Sequence, residues 1–264
     1  MSLVARILGC GSSSGVPRLA GGWGGCDPNE PKNRRRRSSL LLSRRGPGGT
    51  TTVLVDTGPD MRAQLLDAGT ERIDGVLYTH EHADHTHGID DLRAFALNAR
   101  RRVDVWSDAV TSAKLHQSFG YAFATPPGSD YPAILTDHRA AHGDTITIDG
   151  PGGPIAAQAF DLVHGNIMAF GFRVDGIAYS PDVNDIPAGS VPFLEGLDVW
   201  IVDALRPRPH PSHFSLDETL GWIARLKPKR AILTDLTSEM DYATLRRSLP
   251  PGIEPAYDGL EVEV

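Results

Sequence analysis

Residues 79–88 read THEHADHTHG, with four histidines, one glutamate and one aspartate in ten positions, directly after the apolar run GVLYT. That run is short and rich in β-branched and aromatic side chains, so it reads as a buried strand. So much polarity beside a core belongs where a rigid sheet presents a loop at the end of a strand. On an extended strand end, residues two apart point the same way, so His80 and His82 can grip one ion together. Asp84 and His85 follow on the turn, within reach of a second ion. Neutral imidazole and carboxylate suit borderline or hard divalent metals without any thiolate. Thr79 ends the strand, and Glu81 and Ala83 are spacers that point away. The competing reading is a solvated polar loop with incidental histidines, but chance clustering rarely yields this order after a strand.

The same device, a short apolar run ending in a polar residue, recurs along the chain. ARILGCG, SSLLLS, TTVLVDTG, RVDVWSD, TITIDG, IAAQAFDLVHG, AFGFRVDGIAYSPD, DVWIVDAL and RAILTDL all read as strands. Asp56, His80, His164, Asp182, Asp203 and Asp235 stand at strand ends, where side chains can converge on one point. Helices are fewer. In DDLRAFALNARR the apolar positions Leu92, Phe95, Ala96 and Ala99 share a face. In HFSLDETLGWIARLKPKR, Ser215 and Glu218 form a capping box and Pro228 closes the helix. PDMRAQLLDAG reads as a short helix ending at Gly69. Strand-rich halves separated by helices predict an α/β chain of two packed sheets with helices outside. No interdomain linker or repeat is visible, so residues 1–264 are read as one domain. Residues 121–132, YAFATPPGSDYP, read as a loop.

Composition narrows the class. A chain of 264 residues with 40% apolar content can build a sizeable core without disulfides or a structural metal. Its two cysteines, Cys10 and Cys26, give no disulfide framework and fit a reducing compartment. The net charge of −7 argues against bulk attraction to a nucleic-acid polymer or an anionic membrane. No apolar run reaches the ~18–20 residues that span a bilayer, and MSLVARILGCGSS lacks the form of a secretory signal. The expectation is a cytoplasmic protein.

With these residues in view, the chain resembles the metallo-β-lactamase superfamily along nearly its whole length. In order, that superfamily carries an Asp after an early strand, H-x-H-x-D-H, a distant His, a distant Asp and a final His. The matching segments here are LVDTGPD with Asp56, the 79–88 cluster, DLVHG with His164 and AYSPDV with Asp182. The resemblance implies an αββα four-layer sandwich holding two divalent metal ions, zinc or manganese. It assigns His80, His82 and His164 to one ion, Asp84 and His85 to the second, and Asp182 to both. It places Asp56 just outside them, as an orienting partner for a ligand imidazole. The final position departs: Asp235, in AILTDLTSEMDY, stands where the superfamily has histidine, and no histidine follows His213. Asp235 is then either an oxygen ligand, which shifts the expectation from zinc toward manganese, or a turn or helix-capping aspartate.

Three further segments bear on the substrate. LGCGSSSGVPR is a Gly/Ser turn whose amides and hydroxyls, with Ser12 and Ser13, can line an anion site; alone, it also reads as a plain tight turn. The run Arg34–Arg37 leads into a strand, so alternate members point to opposite sides. One of them, with Arg37 as the candidate, faces the site and pairs a phosphate, whereas a solvated face is the usual meaning of such a run. LRPRPHPSHFSLDE carries His210, read as a supporting residue, and His213, suited to protonating a departing alkoxide. Asp84 and His213 are the candidate catalytic residues, and His87 is placed at the pocket rim, touching ligands or substrate from outside.

GCGSSSGVPR, THEHADHTHGIDDLR, HPSHFS and the LT…MDY ending together resemble the superfamily's phosphodiesterase branch, typified by phosphoribosyl cyclic phosphate phosphodiesterase. That typifying enzyme carries a small cysteine-built structural zinc site shortly after the Gly/Ser turn. Only Cys26 remains here, so no such site is expected. The resemblance implies hydrolysis of a small cyclic phosphate ester or nucleotide through a metal-bridging hydroxide, and a homodimer. The alternatives are a hydrolase of a thioester or other non-phosphate ester on the same core, and a non-catalytic nucleotide- or metal-binding protein.

Overall fold

The computed structural model describes residues 2–264. Six strands start the first sheet: β1 (Ser2–Gly9), β2 (Ser39–Gly46), β3 (Gly49–Val55), β4 (Gly75–Leu77), β5 (Val103–Ser107) and β6 (Leu135–Arg139). The second holds β7 (Thr145–Ile148), β8 (Ile155–His164), β9 (Ile167–Val174), β10 (Ile177–Ser180), β11 (Val199–Asp203), β12 (Arg230–Thr234) and β13 (Ile253–Pro255). The last strand, β14 (Glu261–Glu263), returns to pair with β1, so each sheet has seven strands. Both sheets are mixed: β3 to β6 run parallel in one and β10 to β13 in the other. Parallel strands bring their carboxyl ends to one edge, where an open sheet presents its ligands.

Alternation along the strands decides which layers pack. Leu40 and Leu42 of β2, with Val53 and Val55 of β3, face Ile155, Ala157, Phe170, Phe172 and Ile201 across the space between the sheets. The intervening Leu41 and Leu54 point outward, onto helices α1 (Met61–Asp67), α3 (Leu92–Ala99) and α4 (Ala109–Phe123). On the far side, Phe160, Trp200, Val202 and Leu233 pack on α5 (Leu216–Leu226) and α6 (Tyr242–Ser248). Helix, sheet, sheet, helix: the result is the αββα sandwich. A one-turn helix, α2 (Ala83–Thr86), lies at the sheet edge within the histidine cluster.

The Ser215–Glu218 capping box forms, and α5 ends at Lys227 in the left-handed region just before Pro228. Three details differ from the sequence reading. AFGFRVDGIAYSPD is two strands, because Asp175 turns the chain at φ 51° ahead of Gly176. Residues 109–123 form α4, so Tyr121, Ala122 and Phe123 are helical rather than loop. Its sequence, AVTSAKLHQSFGYAF, holds Thr, Ser, Gly and aromatic residues of low helix propensity, and buried Leu115, Ala122 and Phe123 hold it to the first sheet. Helix α6 was likewise hidden by its short length.

Candidate functional site

The candidate residues gather at the carboxyl edge of both sheets. Asp56 follows β3, His80 follows β4, Asp182 follows β10, Asp203 ends β11, Asp235 follows β12 and His164 ends β8. Asp56 and Asp235, one in each sheet, have left-handed backbones, φ 64° and 57°. Among non-glycine residues Asp and Asn tolerate this best, and such strain concentrates at functional sites.

Close backbone packing places α2. Thr57 N–H donates to the His85 carbonyl and Gly88 N–H to the Thr57 carbonyl, both at 2.7 Å. A Cβ on Gly88 would lie 2.2 Å from the Gly58 carbonyl oxygen, so only glycine lets these loops touch. This contact sets His85 against Asp56, whose Oδ2 accepts from His85 Nδ1 at 2.7 Å. Thr79 does more than end the strand. Its N–H and hydroxyl both donate to Asp56, each at 2.8 Å.

That bond fixes a tautomer. The Thr79 hydroxyl spends its one proton on Asp56, so it accepts from His80 Nδ1–H at 3.0 Å and leaves His80 Nε2 bare. His164 Nδ1 donates to the Ser212 carbonyl at 2.6 Å, leaving its own Nε2 bare. The two bare nitrogens lie 2.9 and 3.2 Å from His82 Nδ1. Asp182 closes the group, with Oδ2 4.0 Å from His80 Nε2 and 3.7 Å from His164 Nε2, and Oδ1 3.2 Å from His85 Nε2. Asp84 Oδ2 is 3.5 Å from the same His85 nitrogen.

This donor set fits divalent cations. His85 Nε2 and Asp182 Oδ1 are buried and make no hydrogen bond among the described residues, as ligand atoms aimed at a cation would be. Burial, and then the neighbouring His85, hold the His80 pKa well below the usual imidazole range; burial lowers that of His164 too. Both rings are therefore neutral, the form that ligates. Burial also works against a charge on His85, but Asp182, Asp84 and Asp56 outweigh it and raise its pKa. A cation between these carboxylates would replace that proton.

His213 approaches from the other side. Its Nδ1 donates to Asp203 Oδ2 at 2.8 Å and lies 3.3 Å from Asp235 Oδ2, while its Nε2 is 3.9 Å from Asp182 Oδ2. Burial opposes its charge, but Asp203 foremost, then Asp235 and Asp182, push its pKa up to about 10. Asp235 is buried, accepts from the Ser38 hydroxyl at 3.2 Å, and its donor atom groups with Asp203 and His213. Ser12, Ser13, His82, Asp84, His164, Asp182, His210 and His213 line one cleft of about 380 Å³.

His80, His85, Asp56 and Asp235 lie buried beneath the cleft wall, and two candidates point away from the converging donors. Arg37 Nε pairs with Asp60 at 2.9 Å and the side chain lines a different cavity, because Asp60 of the loop before α1 supplies a nearer carboxylate. His87 caps α2 and packs edge-on against Phe119. Conversely, Arg206 lines the cleft and Asp203 anchors His213, roles the sequence reading did not assign. Their signal was present: both lie at the end of β11, in VDALRPRPH.

Fold and site together define a metal-dependent hydrolase of the αββα type. The family described as "Beta-lactamase superfamily domain" matches residues 51–234, and the chain belongs to the metallo-β-lactamase superfamily, in its phosphodiesterase branch. A solved structure described as a new diphosphatase from the PhnP family is 33% identical, with a TM-score of 0.87, covering 100% of this chain and 98% of that one. Zinc-bound PqqB from Methylobacterium extorquens shares the fold, at 16% identity and a TM-score of 0.73 over 100% of both chains. An octanoyltransferase from Porphyromonas gingivalis is 28% identical over 262 residues, which are 97% of this chain and 50% of that protein. The chain thus spans about half the length of that curated relative.

Proposed function

We propose that the protein is a dinuclear phosphodiesterase hydrolysing a small phosphate ester, cyclic or nucleotide-derived. One observation carries this reading: the His213 imidazole, held through Nδ1 by Asp203, opens onto the same polar cleft as the converging histidine and carboxylate donors. His80, His82 and His164 would hold one ion and Asp84 and His85 the other, with Asp182 within reach of both groups. When bound, two such ions, manganese or zinc, supply an acidified water and offset charge on the phosphoryl oxygens. The chain's own groups do the rest. Ser12, Ser13 and Arg206 donate to the phosphate. His213 passes its Nε2 proton to the departing oxygen, and Asp203 holds the ring in place through Nδ1. Asp56 keeps His85 aimed. A cleft of about 380 Å³ in a chain of net charge −7 suits a small molecule rather than a nucleic-acid polymer.

The octanoyltransferase likeness supports a second reading, hydrolysis of an acyl thioester or ester in the same cleft. The test is turnover of bis(p-nitrophenyl) phosphate, cyclic nucleotides and an acyl thioester after reconstitution with manganese or zinc, alongside metal content. Phosphodiester turnover with two ions per chain is the expected result. Faster thioester hydrolysis would establish the second reading, and bound metal with no turnover at all would leave a binding protein.

A further inference from the structure

A cavity of about 730 Å³ lies behind the Gly/Ser turn, and Ser14 belongs to its wall and to that of the metal cleft. Five cations line it, Lys32 and Arg34 to Arg37, against three carboxylates. Those carboxylates are already engaged. Arg36 pairs with Asp258 at 3.1 Å and Asp67 at 2.8 Å, and Arg37 with Asp60. Arg35 is fully buried and spends its donors on the Thr237 and Met240 carbonyls. Lys32 and Arg34 remain. Lys32 Nζ donates to the Tyr242 hydroxyl at 3.1 Å and sits 4.2 Å from the Tyr257 ring centre, while Arg34 lies over Trp23. Neither has a carboxylate within ion-pair distance among the described residues. A chain of net charge −7 thus keeps a locally positive pocket, against the trend of its own field. The rim is apolar: Pro17, Pro31 and Leu19 border it, and Leu19 is 94% exposed, with no neighbour covering it.

We infer that this cavity is a second binding site, for a phosphorylated molecule with an apolar or aromatic body, of which a nucleoside monophosphate is the simplest case. Lys32 and Arg34 take the phosphate as charge-assisted donors, and the Leu19–Pro17 rim covers the body. Such a ligand has two sources, a free nucleotide or the distal half of a diester whose scissile phosphorus lies in the metal cleft beyond Ser14. The second source rests on the phosphodiesterase reading; the first does not.

Calorimetry of AMP on the metal-loaded protein, compared with Lys32→Ala, Arg34→Ala and the double variant, tests the site. Each single change should weaken AMP about tenfold or more, with turnover of bis(p-nitrophenyl) phosphate, which lacks a second phosphate, unchanged. Competitive inhibition by AMP of a nucleotide diester, with KM for that diester raised in the variants, identifies the distal half of the substrate. A non-competitive effect of AMP identifies a free nucleotide. AMP affinity equal in wild type and double variant, or inorganic phosphate binding as tightly as AMP, overturns the proposal. If the wild type fails to cleave any phosphodiester, the reading above falls, and the calorimetry still decides this site.

Discussion

His82 is the most exposed of the imidazoles that converge on the centre, yet its Nδ1 meets both His80 and His164. Truncating it removes little buried surface, so His82→Ala should keep the fold by circular dichroism while losing metal by elemental analysis, and turnover with it. Full metal content with full turnover in this variant would remove His82 from the site. His213 carries a separate prediction. General-acid assistance matters most when the leaving group is a poor one, and is worth about 10²–10⁴ in rate. His213→Ala should therefore lose on that order with alkyl diesters and far less with an activated nitrophenyl ester. Equal losses on both would show that the residue holds metal or substrate rather than moving the proton.

Among the elements, α6 depends on one charged cap. Asp241 Oδ1 accepts from Thr244 N–H at 2.9 Å, and Oδ2 accepts from Asn33 Nδ2 at 2.8 Å and Asp27 N–H at 3.2 Å. Burial alone would raise its pKa, but these donors, Asn33 first, hold it down to about 2. The folded value is below the unfolded value of about 3.9, so the cap's charge contributes stability above pH ~4 and loses it as pH falls through 2. Asp241→Ala should cost about 1 kcal/mol in denaturant titrations at neutral pH and progressively less below pH 4. A cost independent of pH would assign the effect to packing. The cap also ties α6 to the arginine-bearing loop through Asn33, where Arg35 donates to Cys26 Sγ, Asn33 Oδ1 and two carbonyls. A guanidinium thus gathers these loops.

For the whole molecule, candidate ligands reach the centre from both sheets, His80 and His85 from the first and His164 and Asp182 from the second. A bound cation therefore ties the two halves of the sandwich, and ligation of the folded state alone stabilises it by about 2.7 kcal/mol at a hundred times Kd. Chelation should lower Tm by roughly 5–10 °C for a chain of this size, and added manganese or zinc should restore it. An unchanged Tm would place the metal outside the fold's energetics. The layers themselves were legible in sequence, since strand-rich halves separated by helices predict two packed sheets with helices outside; the structure then sorts Leu40 and Leu42 to the inter-sheet core and Leu41 to the helices. Helix α4 was not, because tertiary packing outweighs its weak propensity.

Sequence by itself determined the local chemistry: the strand-end H-x-H-x-D-H, the α5 capping box, and the polar residues closing each strand. These rest on the two-residue repeat of a strand and the geometry of one helical turn, which act over a few positions. Only the tertiary structure decided which distant residues meet. It brought Asp203 beneath His213, drew Asp235 into that pair, and admitted Arg206 to the cleft. It also turned Arg37 away to Asp60. Those outcomes depend on how two seven-stranded sheets stack and on which carboxylate lies nearest each cation, and no spacing along the chain encodes either.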